Sequence, residues 1–233
     1  MVDLSRRGDL AEEMDDATLD PAEYARCLHD LASVNRVTLT HRPTLRWFAH
    51  ATAGLPPGTR VTVLDVACGE GDLLRAMHRR AAARGLDVTL TGVDLNPRSA
   101  MVAAAATPAD LPIAYVTADI FAFEPAEQPD FIVSSQFAHH LADADVVRFV
   151  RWLERHARRG WFIADLHRHA IPYYGFRVLA FLAGWHRIVR TDGTISIARG
   201  FRRADWTRLL ESAGVDADIT WRMPFRFCVS RLA

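Results

Sequence analysis

The residues most able to do chemistry lie in four short stretches. The first, Asp65-Val66-Ala67-Cys68-Gly69-Glu70-Gly71, sets a carboxylate before a turn rich in small residues. Glycines there let backbone approach a ligand in dihedrals closed to other residues. The G-x-G-x-x-G spacing that suits a pyrophosphate is absent, as is the Gly-Lys-Ser/Thr of a phosphate loop. An in-strand Asp65 suits instead a cationic or amine-bearing ligand. Asp94 follows about 23 positions after Gly71, close to the ~20-residue spacing of a ribose-binding carboxylate. Asp119 follows in turn. Ser134-Ser135-Gln136-Phe137-Ala138-His139-His140 and Asp165-Leu166-His167-Arg168-His169 supply imidazoles, with an unperturbed pKa near ~6.5 suited to taking a proton from a hydroxyl. His167 and His169 have no HExxH or cysteine partner, so no metal is expected. Cys27, Cys68 and Cys228 are too scattered for a metal set or a disulfide framework.

These residues sit at the ends of apolar, β-prone runs. Strands are predicted over Val61–Ala67, Val88–Asp94, Ile113–Thr117, Asp130–Ser135 and Trp161–Leu166. Helical patterns alternate with them: Leu73–Arg84, an Asn96-Pro97-capped helix over 99–106, and Leu141–His156. Such alternation builds a parallel sheet. Residues 167–200 break it, with an apolar aromatic helix and a polar stretch, Arg190-Thr191-Asp192-Gly193-Thr194, that reads as a hairpin. Arg203–Ala213 is a helix stopped by Gly214. Asp218–Met223 and Phe225–Leu232 meet at Pro224, and so short a joint implies an antiparallel pair. Upstream, the acidic residues 1–20 read as a frayed tail. Asp20-Pro21 starts a helix carrying Leu28, Leu31, Ala32 and Val34, and Pro43–Ala53 forms a second. The predicted organisation is a tail and helical cap over 1–57, then a core over 58–233 with a lid inserted at 167–200.

Bulk properties narrow the partners. Twenty-eight Lys plus Arg balance 28 Asp plus Glu, so no global field draws nucleic acid to the chain. The first residues lead into an acidic run, unlike a secretory signal, and Val178–Trp185 is too short to span a bilayer. A reducing, cytoplasmic setting and a small-molecule partner are expected, with a homodimer left open.

Val63–Gly71 resembles the first motif of class I S-adenosylmethionine-dependent methyltransferases, with Ala67 at the first glycine position. Gly92-Val93-Asp94-Leu95-Asn96-Pro97 resembles the second motif, Ala118-Asp119-Ile120 the third, and Asp130–Ser135 the fourth. The resemblance covers residues 60–166 most strongly. It implies a Rossmann-like α/β sandwich on a seven-stranded, mostly parallel sheet whose last strand is antiparallel. It also implies S-adenosylmethionine as cofactor. Asp65, Ala67, Cys68, Gly69 and Gly71 would cradle its amino-acid end. Asp94, Leu95 and Asn96 would take the ribose, Asp119, Ile120 and Phe121 the adenine, and Ser135 and Gln136 the exit of the fourth strand. The S-x-x-F-x-H-H segment is similar to that of ubiquinone/menaquinone-type and other small-molecule methyltransferases, and 165–176 resembles a bacterial group linked with polyketide-type products.

The acceptor side is read from what lies beyond those strand ends. His140, His167 and His169 are candidate bases, and adjacent residues at a helix start predict that one of His139 and His140 faces the pocket. His41, Tyr173, Tyr174 and Phe176 are candidate substrate contacts under an apolar roof, which suits an apolar or aromatic acceptor. The segment after the fourth strand lacks the Asn/Asp-Pro-Pro-Tyr/Phe loop of enzymes that methylate nucleobase amines. O-methylation of a phenolic or polyketide-type product is favoured. C-methylation of an activated ring, or a cofactor-binding protein without transfer, stay open, and motif spacing disfavours a nicotinamide oxidoreductase.

Overall fold

A computed structural model describes residues 2–233. The strands are β1 (Arg60–Val66), β2 (Asp87–Asp94), β3 (Ile113–Thr117), β4 (Phe131–Ser135), β5 (Gly160–Leu166), β6 (Asp218–Arg222) and β7 (Arg226–Leu232). They form one sheet in the order β3-β2-β1-β4-β5-β7-β6. All neighbours among the first five are parallel, and only β7 runs against its partners β5 and β6. Chain order reverses between β1 and β4, and in such sheets the crevice at the carboxyl ends of those two strands takes the ligand. Register sets Asp65 beside Gly92 and Val133, and Asp94 beside Thr117.

Side chains alternate along each strand and so build two cores. Leu64, Val66, Val93, Ile132 and Ile163 face α5 (Asp143–His156) and α8 (Arg203–Ala213), which contribute Phe149, Leu153, Trp206 and Leu209. Val61, Val63, Phe131, Val133 and Phe162 face α2 (Arg42–Ala51) and α3 (Asp72–Ala82), through Phe48, Leu74 and Met77. Helix α4 (Pro97–Ala106) packs beside β2 and β3. A third cluster joins α1 (Pro21–Val37) to α6 (Ala170–Leu182) and α7 (Arg187–Arg199) through Tyr24, Cys27, Leu28, Ala180, Ile188 and Val189. Helix α1 starts as its sequence requires, with Asp20 accepting from the Ala22 and Glu23 amides and Pro21 in the first turn.

Two expectations are corrected. Residues 190–194 lie inside α7 and form no hairpin. Gly193 is there for packing: a Cβ on it would sit 2.2 Å from the Phe176 ring. Asp192 is buried and accepts from the Glu13 and Met14 amides. The tail is not frayed either. Met14 and Glu12 are buried. Arg7 donates to the Arg199, His139 and Leu141 carbonyls and to Asp143. An acidic segment docks because its charges meet buried polar partners that composition does not display.

Candidate active site

Strand β1 ends in a turn whose dihedrals explain its residue types. Ala67, Gly69 and Gly71 all have positive φ, +59°, +52° and +74°. Ala67 holds a conformation that costs a non-glycine residue about 1 kcal/mol or more. Its amide and that of Cys68 donate to the Val93 carbonyl, locking the turn onto β2. A side chain on Gly71 would collide with Tyr115, whose hydroxyl lies 2.2 Å from the Cβ position. The cradle thus exposes backbone and excludes bulk.

Asp65 is 2 % exposed. Burial raises its pKa well above the usual carboxylate range, and the nearby charges of Asp72 and Asp94 add to the effect. The Ser135 hydroxyl is buried without a partner. Both residues line a cavity of about 400 Å³ at the carboxyl ends of β1 and β4. A buried carboxylate and an unpaired hydroxyl beside a glycine turn fit a ligand bearing an ammonium and further polar atoms. The amino-acid end of S-adenosylmethionine meets that requirement.

The wall opposite the glycine turn is helical. Leu28, Leu31 and Asn35 descend from α1, and Phe176 and Leu179 from α6. A polar chain fixes α1 in place: Gln136 Nε2 donates to Asn35 Oδ1, and Asn35 Nδ2 donates to Asp72 Oδ2. His41 Nε2 lies 2.8 Å from the same oxygen. Burial would raise the Asp72 pKa, but His41, Asn35 and Arg75 together hold it low.

Besides His41, three histidines line the cavity. His139 is buried, with Nδ1 2.8 Å from Asp165 Oδ1 and Nε2 3.6 Å from Glu12 Oε1. Burial alone would depress its pKa. The carboxylates of Asp165 and then Glu12 outweigh burial and raise it to about 9. His140 is half-buried, with Nδ1 3.3 Å from Asp15 Oδ2 and Nε2 3.8 Å from Glu12 Oε2. His167 accepts a hydrogen bond at Nδ1 from the Trp221 indole, so its neutral form carries the proton on Nε2. Burial, then the charges of His169, Arg202 and Arg168, lower its pKa to about 4. His140 sets Nδ1 against Asp15 and Nε2 towards Glu12, whereas the neutral His167 ring offers an N–H at Nε2.

The structure gathers only some of the residues singled out from the sequence. Asp65, Ala67, Cys68, Gly69, Ser135, Gln136, His41, His140, His167 and Phe176 share the cavity. Gly71 shapes the turn behind it. Asp94 stands at the end of β2 outside the cavity, with its carboxylate accepting from the Gly69 and Asn96 amides. Leu95 beside it is exposed, and Asn96 caps α4. Asp119 is exposed and accepts from the Phe121 amide, Ile120 is buried in the sheet core, and Phe121 lies under the Arg148 guanidinium. These six residues do not meet the cavity.

His169, Tyr173 and Tyr174 do not line it either. His169 caps α6, with Nδ1 accepting from the Ile171 amide, and the two tyrosines pack on each other. Both members of the His139-His140 pair face the cavity, against the expectation of one. They occupy a 3-10 turn whose rings lie 4.4 Å apart, where a regular helix would have splayed them. The sequence reading missed Glu12, Asn35 and Asp72, all cavity residues, and did not assign His139 a role. Glu12 lay in an acidic run with no local signal. The Cys68 thiol packs against Gly92, and burial raises its pKa, so it is no nucleophile.

Residues 63–160 match a family model described as a methyltransferase domain. Comparison with curated proteins finds no match. Among solved structures, the magnesium protoporphyrin IX methyltransferase of Synechocystis PCC 6803 with bound SAH is 17% identical, with a TM-score of 0.54 over 93% of this chain and 89% of that one. The plantazolicin methyltransferase BpumL, in complex with a triazolic desmethyl analogue and SAH, is 14% identical, with a TM-score of 0.61 over 83% and 71%. The CMeT domain of the citrinin polyketide synthase is also 14% identical, with a TM-score of 0.61 over 83% and 52%. Residues 63–160 thus match a methyltransferase domain, and the chain as a whole shares the fold of these solved methyltransferase structures.

Proposed function

We propose that this methyltransferase alkylates a hydroxyl oxygen on a small, largely apolar aromatic molecule, of phenolic or polyketide type. The observation that carries this reading is the cavity itself. It joins the glycine turn to an apolar roof of Leu28, Leu31, Phe176 and Leu179, and His140 and His167 are among the polar groups on its wall. Such a lining orients a flat apolar ligand by one polar edge.

When bound, S-adenosylmethionine supplies an electrophilic methyl group whose C–S bond breaks as the O–C bond forms, the electron pair passing to sulfur. The residues do the rest. Asp65 holds the ammonium, with Gly69 and Gly71 giving room for close approach. Helices α1 and α6 exclude water from the reacting pair. His140, oriented by Asp15, takes the hydroxyl proton at Nε2 and passes it to solvent. His167 donates Nε2–H to an acceptor oxygen. The motif resemblance assigns Asp94, with Leu95 and Asn96, to the ribose and Asp119, with Ile120 and Phe121, to the adenine, although none of the six lines the cavity. The cap over 1–57 and the lid over 167–200 form the acceptor half, and His41 belongs to that wall.

The test is a mass-spectrometric assay with methyl-labelled cofactor across a panel of phenols and matched carbon nucleophiles. The expected product is a labelled methyl ether. Label on ring carbon would replace the oxygen reading with C-methylation. No labelled product from any acceptor, with cofactor binding intact, would reject transfer to this class.

A further inference from the structure

We infer that Glu12, His139 and His140 form a binding site for a divalent transition-metal cation on the cavity wall, with an open coordination position towards the acceptor. Each residue offers one ligand atom, and the three atoms lie within 4.8 Å of one another. Both Nε2 contacts to Glu12, 3.6 and 3.8 Å, are too long for hydrogen bonds. They are close to the separation of about 3.4 Å between two ligands around one tetrahedral ion with bonds near ~2.1 Å.

The surroundings carry the inference further. Each histidine sets Nδ1 against a carboxylate, His139 against Asp165 and His140 against Asp15. That arrangement fixes the tautomer and aims the Nε2 lone pair at the metal in carboxylate–histidine–metal sites. It occurs here twice, with both Nε2 atoms converging on one glutamate. Asp165 is fully buried and also accepts from the His139 and Leu166 amides, so the His139 ring is held firmly. Ser196 donates to Glu12 Oε1 and fixes that carboxylate.

Two imidazoles and one carboxylate select zinc or ferrous iron over magnesium or calcium, whose ligands are oxygens. All three ligands line the cavity, so the open position faces the space given to the acceptor. A cation there would act as a Lewis acid, lowering the pKa of an acceptor hydroxyl so that water could take its proton before methyl transfer. In that state His140 serves as a ligand, and coordination takes over the role of base. Binding of the cation does not depend on the methyl-transfer reading, though its use in catalysis does.

The test titrates tag-free, full-length protein with zinc by calorimetry, then records zinc X-ray absorption of the complex. One zinc per chain is expected, with two imidazole nitrogens and an oxygen in the first shell. Excess magnesium should not displace it. Asp165→Asn should weaken binding by about 10–100-fold, and Glu12→Gln and His140→Ala by at least as much. S-adenosylmethionine titration of each variant checks that it is folded, and if a variant fails that check, the wild-type absorption spectrum decides. Absence of binding, sulfur in the first shell, or unchanged affinity in folded variants overturns the site as more than an ion-pair cluster. If the wild-type protein still binds and uses the cofactor, the methyl-transfer reading survives.

Discussion

Burial of single groups dictates the site's residue chemistry. Burial and two neighbouring acids raise the Asp65 pKa, so the carboxylate that receives an ammonium is favoured as pH rises. Apparent affinity for the cofactor should therefore rise with pH as Asp65 ionises. Calorimetric titration across a pH series checks that dependence, and a flat profile would contradict it. For His167, whose folded-state pKa falls to about 4, the neutral Nε2–H tautomer should dominate at pH 7. The unfolded ring takes up its proton near ~6.5, so this group's contribution to stability is present above that pH and is lost as pH falls towards 4. Nitrogen NMR of the ring checks tautomer and midpoint, and titration near 6.5 would contradict the assignment. As proton acceptor, His140 changed to Ala should lower turnover by about 10²–10⁴-fold with cofactor affinity unchanged. Wild-type turnover would remove it from that role.

At the scale of elements, the cavity roof depends on how α6 meets α7. Gly193 lies against the Phe176 ring, which stacks on Trp185. Gly193→Ala should push that ring off its seat, cost about 1–3 kcal/mol of stability, and raise KM for the acceptor with cofactor affinity unchanged. Thermal unfolding and steady-state kinetics check the two halves of that expectation. The same glycine shows where sequence legibility stops. Strand periodicity and terminal acids located β1 to β5, their order of function and the cofactor loop, because those signals are local. Asp192-Gly193 looked like a turn because its true constraints, a ring and two amides, lie far away in sequence. The His139-His140 pair was visible as a pair, but its shared orientation came from a 3-10 turn. Glu12 was legible only as charge, because its partners lie more than a hundred positions downstream.

Across the whole molecule, the N-terminal segment works as a strap. Arg7 ties it to three carbonyls and Asp143, and its guanidinium covers the Phe201 ring at 4.3 Å. This brings Glu12 to the cavity and closes one side. Arg7→Ala should destabilise the fold by about 1–3 kcal/mol and speed hydrogen exchange at the His139 and His140 amides. Exchange as slow as in the wild type would mean that the strap is held by other contacts. Sheet, helical roof and strap together enclose a cavity whose glycine-turn end we assign to the cofactor, and the proposed function depends on that assignment. Calorimetric titration of the wild-type protein and Asp65→Asn with S-adenosylmethionine tests it most directly. One cofactor per chain is predicted, with affinity about 10–100-fold weaker in Asp65→Asn. No binding by folded wild-type protein, or equal binding by both, would contradict it.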